Sequence, residues 1–212
     1  GVAGAFESSD VIDAIQEGEM GRIATSLVFF AGPGSQAVAV SWTEISDTAS
    51  AQAFASAVRA STRPFTTSST SLAGALGFAT AQFGVETGGP DNGFASDAQA
   101  ISLMTESFLF LADDEATVQG ARDAALASGV DVINGITVGN RNSAAATAYY
   151  QANIIGGIES AVESARNYAA LPDTATTSFG NQIRAVSLIP EPGWVIALPL
   201  ALSLLLVRHR RT

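Results

Sequence analysis

Carboxylates are the side chains of this sequence with the greatest capacity for acid–base chemistry. Asp113, Asp114 and Glu115 stand in a row at a predicted helix start, where the positive end of the helix dipole favours negative surface charge. The chain has no Cys, and its only His, His209, lies in a basic C-terminal cluster. The body therefore lacks the His or Cys of the usual nucleophilic triads, and we expect no enzyme. A carboxylate-only glycosidase, with two acids about 5 to 10 Å apart, is an alternative.

The charge balance and the absence of Lys exclude further classes of function. The glycine-rich stretches at 32–34 and 88–89 cannot form a P-loop, because that motif requires a Lys. All 10 basic residues are Arg, against 20 acids. Residues 1–189 hold 7 of the Arg and 19 of the acids, a net charge of −12 over the body. A surface this acidic repels phosphate backbones, so no nucleic-acid partner is expected.

The C-terminal tail combines an apolar segment with a basic cluster. Trp194 to Val207 contains no charged residue, and Arg208, Arg210 and Arg211 follow closely. As a helix the segment spans about 21 Å, against about 30 Å for the hydrocarbon core of a bilayer. The Arg residues supply the cytoplasmic charge that stops transfer and leaves the body outside. We predict a membrane helix over 194–207; a buried C-terminal helix is the alternative.

A short proline motif precedes the apolar segment. Pro190, Glu191 and Pro192 stand directly before it, and the prolines keep this stretch extended. The order of motif, apolar run and basic cluster over 189–212 resembles a PEP-CTERM sorting signal. The resemblance implies an exosortase-type membrane enzyme that recognises the motif and cuts nearby. The protein would pass from an inner-membrane intermediate to the cell surface or extracellular matrix of a Gram-negative bacterium.

Strand and helix patterns alternate along the body. Strands are predicted at 22–30, 36–42, 100–111 and 130–138. A first helix is predicted at 8–18 with Ser9 or Asp10 as its N-cap, and a second from the cap at Asp47 to Ala60. Further helices are predicted at 72–83, from about 113 to 128, and at 144–154, 158–170 and 178–188. A linker is predicted at 171–177. This alternation predicts an α/β domain with a mostly parallel sheet, in which the first two strands form an antiparallel hairpin at one edge.

Short motifs follow one another in a characteristic order through the body. They are Gly21 to Ala24, Gln36 to Trp42 with Thr43 and Ile45, Thr70 before the helix start at 72–77, Arg122 to Ala124, Ile133 to Ile136, Tyr149-Tyr150, and Ile154 to Gly157. Over roughly residues 5–188 they resemble an uncharacterised bacterial family of von Willebrand factor A-like proteins. The resemblance implies a Rossmann-like three-layer sandwich. It also implies a divalent metal on loops above the sheet, held by an Asp-x-Ser-x-Ser on the first strand, a Thr on a second loop and a later Asp. Such hard oxygen ligands suit Mg²⁺ or Mn²⁺.

The sequence departs from the family's pattern at that metal site. No Asp-x-Ser-x-Ser occurs near the start, so we expect the first, central strand to be missing and the chain to be a fragment. Thr105 stands where the family has its later Asp, and Leu109 replaces a second acid. Thr70 remains as a vestigial ligand position, for which a loop or N-cap hydroxyl is the alternative. A metal would need the missing strand, with Glu106 or Asp113 as substitutes, so no cofactor is expected.

Together these features predict two parts. Residues 1–188 form a von Willebrand factor A-like domain with a degenerate metal site, and 189–212 form the sorting signal. We expect a non-enzymatic surface or matrix protein that acts in adhesion, with an extracellular protein or polysaccharide as partner. The alternative is a periplasmic or surface module that binds a small ligand or a polysaccharide.

Overall fold

The computed structural model describes residues 1–66, 69–106, 111–139 and 143–187, which form a mixed α/β protein. Its helices are α1 (Val2–Phe6), α2 (Ser9–Glu17), α3 (Thr48–Ala60), α4 (Leu72–Gln82), α5 (Glu115–Ala127), α6 (Ser143–Asn153) and α7 (Leu171–Val186). Its strands are β1 (Ile23–Phe30), β2 (Gln36–Ile45), β3 (Ala100–Thr105), β4 (Val132–Val138), β5 (Gly156–Gly157) and β6 (Val162–Ala165).

Side-chain caps determine where several helices begin. The predicted cap of α3 is confirmed: Asp47 accepts the Ser50 amide at 2.7 Å within a capping box. The predicted N-cap of α2, Ser9 or Asp10, is wrong by one residue, because Ser8 holds that position and accepts the Asp10 amide. Such shifts are expected because Ser and Asp compete for the same role at adjacent positions.

Two sheets form among the described residues, where one was expected. β1 and β2 pair as the predicted antiparallel hairpin. In the second sheet β4 is central, with β3 parallel on one side and β6 parallel and β5 antiparallel on the other. No backbone hydrogen bond joins the two sheets between β1 and β3 in the part of the chain that the structure describes. The hairpin is therefore attached to the second sheet through helices.

Helices cover both faces of the second sheet. On one face α4, α5 and α6 pack on Ile101, Leu103 and Ile133, and on the other α7 packs on Ile136. The first two helices and α3 join the α7 side, where the rings of Phe6 and Phe54 pack edge to face. Strands covered on both faces are mostly apolar; all seven residues of β4 are buried, and only Asn134 and Thr137 among them are polar.

Two predictions for the segment after α6 are wrong. Residues 158–170 were expected to be a helix, but they contain the edge strand β6, which pairs with the end of β4. Pairing with a buried strand here overrides a weak helical propensity. Residues 171–177 were expected to be a linker, but α7 begins at Leu171. Pro172 lies in its first turn, where proline is tolerated because no backbone donor is needed.

The predicted strand at 100–111 is shorter than expected, since β3 ends at Thr105, and 107–110 lie outside the described residues. No helix among the described residues is both long and apolar enough to cross a bilayer. The segment 194–207, for which the sequence predicts a membrane helix, lies outside them.

Candidate functional site at the carboxyl edge of the sheet

Strands β3, β4 and β6 run parallel, so their carboxyl ends lie at the same edge of the sheet. Ligands of open α/β sheets bind outside this edge, where loops leave the strands. The residues that the sequence singled out as metal ligands or their substitutes, Thr70, Glu106 and Asp113, belong to loops near the end of β3. This edge is therefore the candidate site.

Thr105 ends β3 as part of the core. Its hydroxyl lies 2.8 Å from the hydroxyl of Tyr150, and Thr105 is 9% exposed while Tyr150 is fully buried. Burial raises the pKa of Tyr150, only partly offset by this hydrogen bond. Gly135 makes room for the Tyr150 ring, since a Cβ on Gly135 would overlap it. Two of the sequence motifs, Ile133 to Ile136 and Tyr149-Tyr150, thus meet in one packing arrangement.

Thr70 lies on the loop before α4. Its backbone forms an isolated parallel bridge with Leu111, and its carbonyl accepts the Ala112 amide at 2.8 Å. The alternative that Thr70 caps the helix is wrong, because Ser71 is the N-cap and accepts the Gly74 amide at 3.0 Å. Thr70 therefore ties the loop before α4 to the segment after β3.

Asp113 is bound to the start of α4. Its carboxylate accepts the Ser71 hydroxyl at 3.1 Å and the Ala73 amide at 2.9 Å. The negative charge thus lies at the positive end of the α4 dipole. Asp114 instead caps α5, as the acidic row predicted for that helix, by accepting the Thr117 amide at 2.8 Å. Each of these two acids therefore stabilises a helix start.

Glu106 faces the phenol of Tyr168 across the edge. Although Tyr168 is 61% exposed, its limited desolvation, with the hydrogen bond and the charge of Glu106, raises its pKa above the ordinary value. Partial burial also raises the pKa of Tyr149, and the carboxylates of Glu115 and Asp113 add to that effect. The carboxylates of this edge thus help to raise the pKa of two nearby tyrosine hydroxyls.

Few side chains at this edge could bind a metal ion. Within the described ranges no group of three or more His, Cys, Asp or Glu side chains lies close enough together to hold a metal ion. Asp113 and Glu106, the two proposed substitutes, both have protein partners. Leu109 lies outside the described residues, and so do the predicted residues of the sorting motif and the basic cluster. These are Pro190, Glu191, Pro192, Arg208, Arg210 and Arg211.

A slot of about 1270 Å³ separates β1 from β3, and we call it the central slot. Residues 22–30 and 98–106 line its two sides, and Thr70 and Glu106 lie at its carboxyl end. The sequence predicted a missing strand from the family resemblance, but it did not reveal which side chains would face this opening.

A second opening, which we call the polar hollow, measures about 280 Å³ and lies between β4, the loop before β6 and α7. Its polar lining includes Asn134, Glu159, Glu163, Asn181 and Arg184. Glu159 adopts a left-handed backbone conformation at φ 50°, which is uncommon for a residue other than glycine. Sequence reasoning missed this group because it expected a helix at 158–170.

Comparison with known proteins gives one match. A family model described as "Protein of unknown function (DUF1194)" matches residues 1–184. Comparison with curated proteins found no match, and comparison with solved structures found none either.

Proposed function

The chain belongs to the DUF1194 family of proteins of unknown function, and we propose that it is a non-enzymatic surface protein that acts in adhesion by binding an extracellular protein. One observation carries this proposal: the polar groups that the sequence singled out at the carboxyl edge interact with other groups of the protein, although the buried Thr137 hydroxyl has no hydrogen-bond partner among the described residues. Thr105 bonds Tyr150, Asp113 bonds the start of α4, and Glu106 faces Tyr168. Groups held in this way maintain the shape of a surface, whereas a general acid or base needs a proton-transfer path to a substrate.

The finer features of the proposal come from the sequence resemblances. The body is a von Willebrand factor A-like domain whose metal site is degenerate. The tail at 189–212 is a PEP-CTERM-type signal with a membrane helix at 194–207, read by an exosortase-type enzyme. The mature protein is then released to the cell surface or extracellular matrix, where its net negative body disfavours nucleic acids.

The proposal is tested in the source cells with two measurements. Cells that lack the protein receive either the intact chain or a variant with Ala at Pro190, Glu191 and Pro192. We expect to find the intact chain in the matrix, with a mass that corresponds to a C-terminus near Pro190–Gly193. We expect the variant to remain uncut in the envelope. Adhesion under flow should be restored only by the intact chain, and a chelator should leave it unchanged.

A surface variant, Asp97→Ala, serves as the matched control and should behave as the intact chain, because Asp97 is exposed and far from the motif in sequence. An uncut chain of residues 1–212 in the matrix would contradict the sorting signal. Equal adhesion with and without the protein would contradict the adhesive role.

The polar hollow favours the alternative, a polysaccharide-binding module. Amide, carboxylate and guanidinium groups in one opening can hydrogen-bond a hydroxyl-rich ligand. Glu159 and Glu163 share that opening, so a carboxylate-only glycosidase would also place its chemistry there. Calorimetry with matrix glycans, using Asn181→Ala against Asp97→Ala, distinguishes binding from the leading proposal. Release of reducing sugar that is lost in Glu163→Gln would indicate hydrolysis.

A further inference from the structure

Regular elements form two sides of the polar hollow. Ile136 packs toward α7, and Asn134, two residues earlier in β4, points to the same face of the sheet. Glu163 is in register with Ile136 in the neighbouring strand β6, so it shares that face. Helix α7 supplies the positions i, i+3, i+4 and i+7, which lie on one face of a helix. They are Ser178, Asn181, Gln182 and Ala185.

The loop before β6 forms the third side of the polar hollow, and β4 fixes it. The Ala161 amide donates to Oδ1 of Asn134 at 2.8 Å. The Ala161 carbonyl accepts the Gly135 amide at 2.9 Å. These bonds hold the backbone that carries Glu159, which adopts the left-handed conformation two residues earlier. A lining that is fixed in advance loses little conformational entropy when a ligand binds.

Most of the charged and amide groups that line the polar hollow are free to bind a ligand. Within the described ranges, four of these side chains make no hydrogen bond or ion pair with the protein. They are Glu159, Glu163, Asn181 and Arg184. In this respect the polar hollow differs from the carboxyl edge, where the acids singled out by the sequence interact with other groups of the protein.

A buried amide provides a second, independent sign of a ligand. Gln182 is 9% exposed and lines both the polar hollow and the central slot. Its Oε1 accepts the hydroxyl of Ser102, which lines the slot, at 2.6 Å. Its Nε2 is buried and has no partner among the described residues. Because the two arms of an amide diverge, Nε2 is directed away from Ser102, and a ligand oxygen in the polar hollow would supply the acceptor that it needs.

The lining combines hydrogen-bond acceptors with hydrogen-bond donors. Glu159 and Glu163 only accept, and Arg184 only donates. Nε2 of Gln182 also donates, while the amide of Asn181 can do both. A hydroxyl group donates to a carboxylate and accepts from an amide or guanidinium at the same time, so neighbouring hydroxyls on a sugar ring match this lining. Two acids against one Arg give the lining a net charge of −1, which disfavours phosphates and uronic acids.

The size of the polar hollow limits the ligand to one ring. Its volume of about 280 Å³ equals roughly that of nine waters in the liquid and lies just below the range of about 300–1,000 Å³ for sites that hold drug-sized molecules. None of its lining residues is aromatic, so hydrogen bonds rather than ring stacking would select the ligand. A closed hollow of this size suits the last ring of a chain better than a segment from its middle.

We propose that the polar hollow binds a single uncharged sugar ring at the end of a glycan chain. Nε2 of Gln182 donates to one ring oxygen or hydroxyl, and the carboxylates of Glu159 and Glu163 accept hydroxyls at the opening. This inference rests on the glycan-binding alternative of the proposed function and names the unit that is recognised. One ring held by a few polar contacts binds weakly, and many chain ends presented together in a matrix would compensate through avidity.

A titration followed by amide chemical shifts tests the proposal on the full chain in mild detergent. The probes are the methyl glycosides of glucose, galactose and mannose, with methyl glucuronide as their charged counterpart. We expect at least one neutral glycoside to shift the amides of 159–163 and 178–185 with a Kd of about 1 mM. The glucuronide should bind at least about 10-fold more weakly, because of the net charge of the lining. Tighter binding of the glucuronide, or no shift of these amides by any neutral glycoside up to about 50 mM, would overturn the proposal.

A matched pair of variants separates the two arms of the buried amide. Gln182→Met keeps the length of the side chain but removes both the free donor and the partner of Ser102. Ser102→Ala removes only the bond on the slot side. We expect at least about a 10-fold loss of glycoside affinity in Gln182→Met, since one hydrogen bond to the ligand is lost, and unchanged affinity in Ser102→Ala. An equal loss in both variants would overturn the role of the free donor.

An exposed residue covers the case in which Gln182→Met does not fold. Asn181→Ala changes the surface of α7 and should weaken glycoside binding several-fold, whereas Asp97→Ala should not. Equal affinity in these two variants would overturn the proposal. A matrix polysaccharide that binds in calorimetry, while no glycoside shifts the amides of the polar hollow, would overturn this site and leave the glycan-binding function standing.

Discussion

The hydrogen bond between Thr105 and Tyr150 offers a sharp test of how this edge is built. Thr105→Val keeps the side-chain shape but leaves the Tyr150 hydroxyl, which is fully buried, without its partner. An unsatisfied buried hydroxyl costs about 1–3 kcal/mol, and we expect the upper part of that range. Tyr150→Phe should cost less, because Thr105 retains 9% exposure and its hydroxyl can rotate toward solvent.

The double variant, Thr105→Val with Tyr150→Phe, removes both polar groups together. Since neither hydroxyl is then left unsatisfied, it should be more stable than the sum of the single changes by about 1–2 kcal/mol. Urea unfolding of the full chain in mild detergent, followed by circular dichroism, measures this. A loss of about 2 kcal/mol moves the midpoint by about 1 M if m is about 2 kcal/mol/M. If the loss of stability in the double variant equals the sum of the losses in the two single variants, the hydrogen bond is refuted.

Four further predictions concern stability and metals. Gly157→Ala should destabilise the protein by more than the roughly 1 kcal/mol expected for Gly34→Ala: both have positive φ, but only at Gly157 would a Cβ overlap a backbone carbonyl. Asp113→Ala should lower the free energy of unfolding by about 1–2 kcal/mol through loss of its hydrogen bonds to the Ser71 hydroxyl and the Ala73 amide at the start of α4, with Asp97→Ala unchanged. Burial raises the pKa of Tyr150 above the about 10 of an unfolded tyrosine, so its stabilisation is complete below that pH and is lost as the pH rises. Stability should therefore fall less steeply above about pH 10 in Tyr150→Phe. Mg²⁺, Mn²⁺ and a chelator should leave the Tm of residues 1–212 unchanged; a rise with Mn²⁺ would contradict the degenerate site.

Local signals in the sequence predicted much of the first half of the fold. The Asp47 capping box, the hairpin of β1 and β2, and helix α4 are encoded within short windows. In each case the residues that determine the structure are its own neighbours: a capping side chain, a turn after Phe30, or a run of small and apolar residues in α4. The positions of β4 and α5 were predicted for the same reason.

The features that were missed depend on residues far apart in the chain. Residues 158–170 have a composition that favours a helix, and only pairing with β4 makes 162–165 a strand. The Ser102–Gln182 and Thr105–Tyr150 contacts join positions 80 and 45 residues apart. The pair Tyr149-Tyr150 was singled out by resemblance, but no periodicity could show which tyrosine enters the core.

The role of Thr105 bears directly on the proposed loss of the metal site. The resembled family has an acid at this position, and such an acid has to be charged to hold a divalent cation. Here the position lies beside the fully buried phenol of Tyr150, whose pKa is raised by its surroundings. A carboxylate there would be costly to desolvate without a cation beside it, whereas a hydroxyl forms one neutral hydrogen bond. Thr105 is thus suited to an edge that holds no metal, and Thr105→Asp should destabilise the chain unless a divalent cation is supplied. Unfolding midpoints of this variant with and without Mn²⁺ decide the question: recovery of stability with Mn²⁺ would mean that the remaining ligands are intact and that the site is only one residue from function.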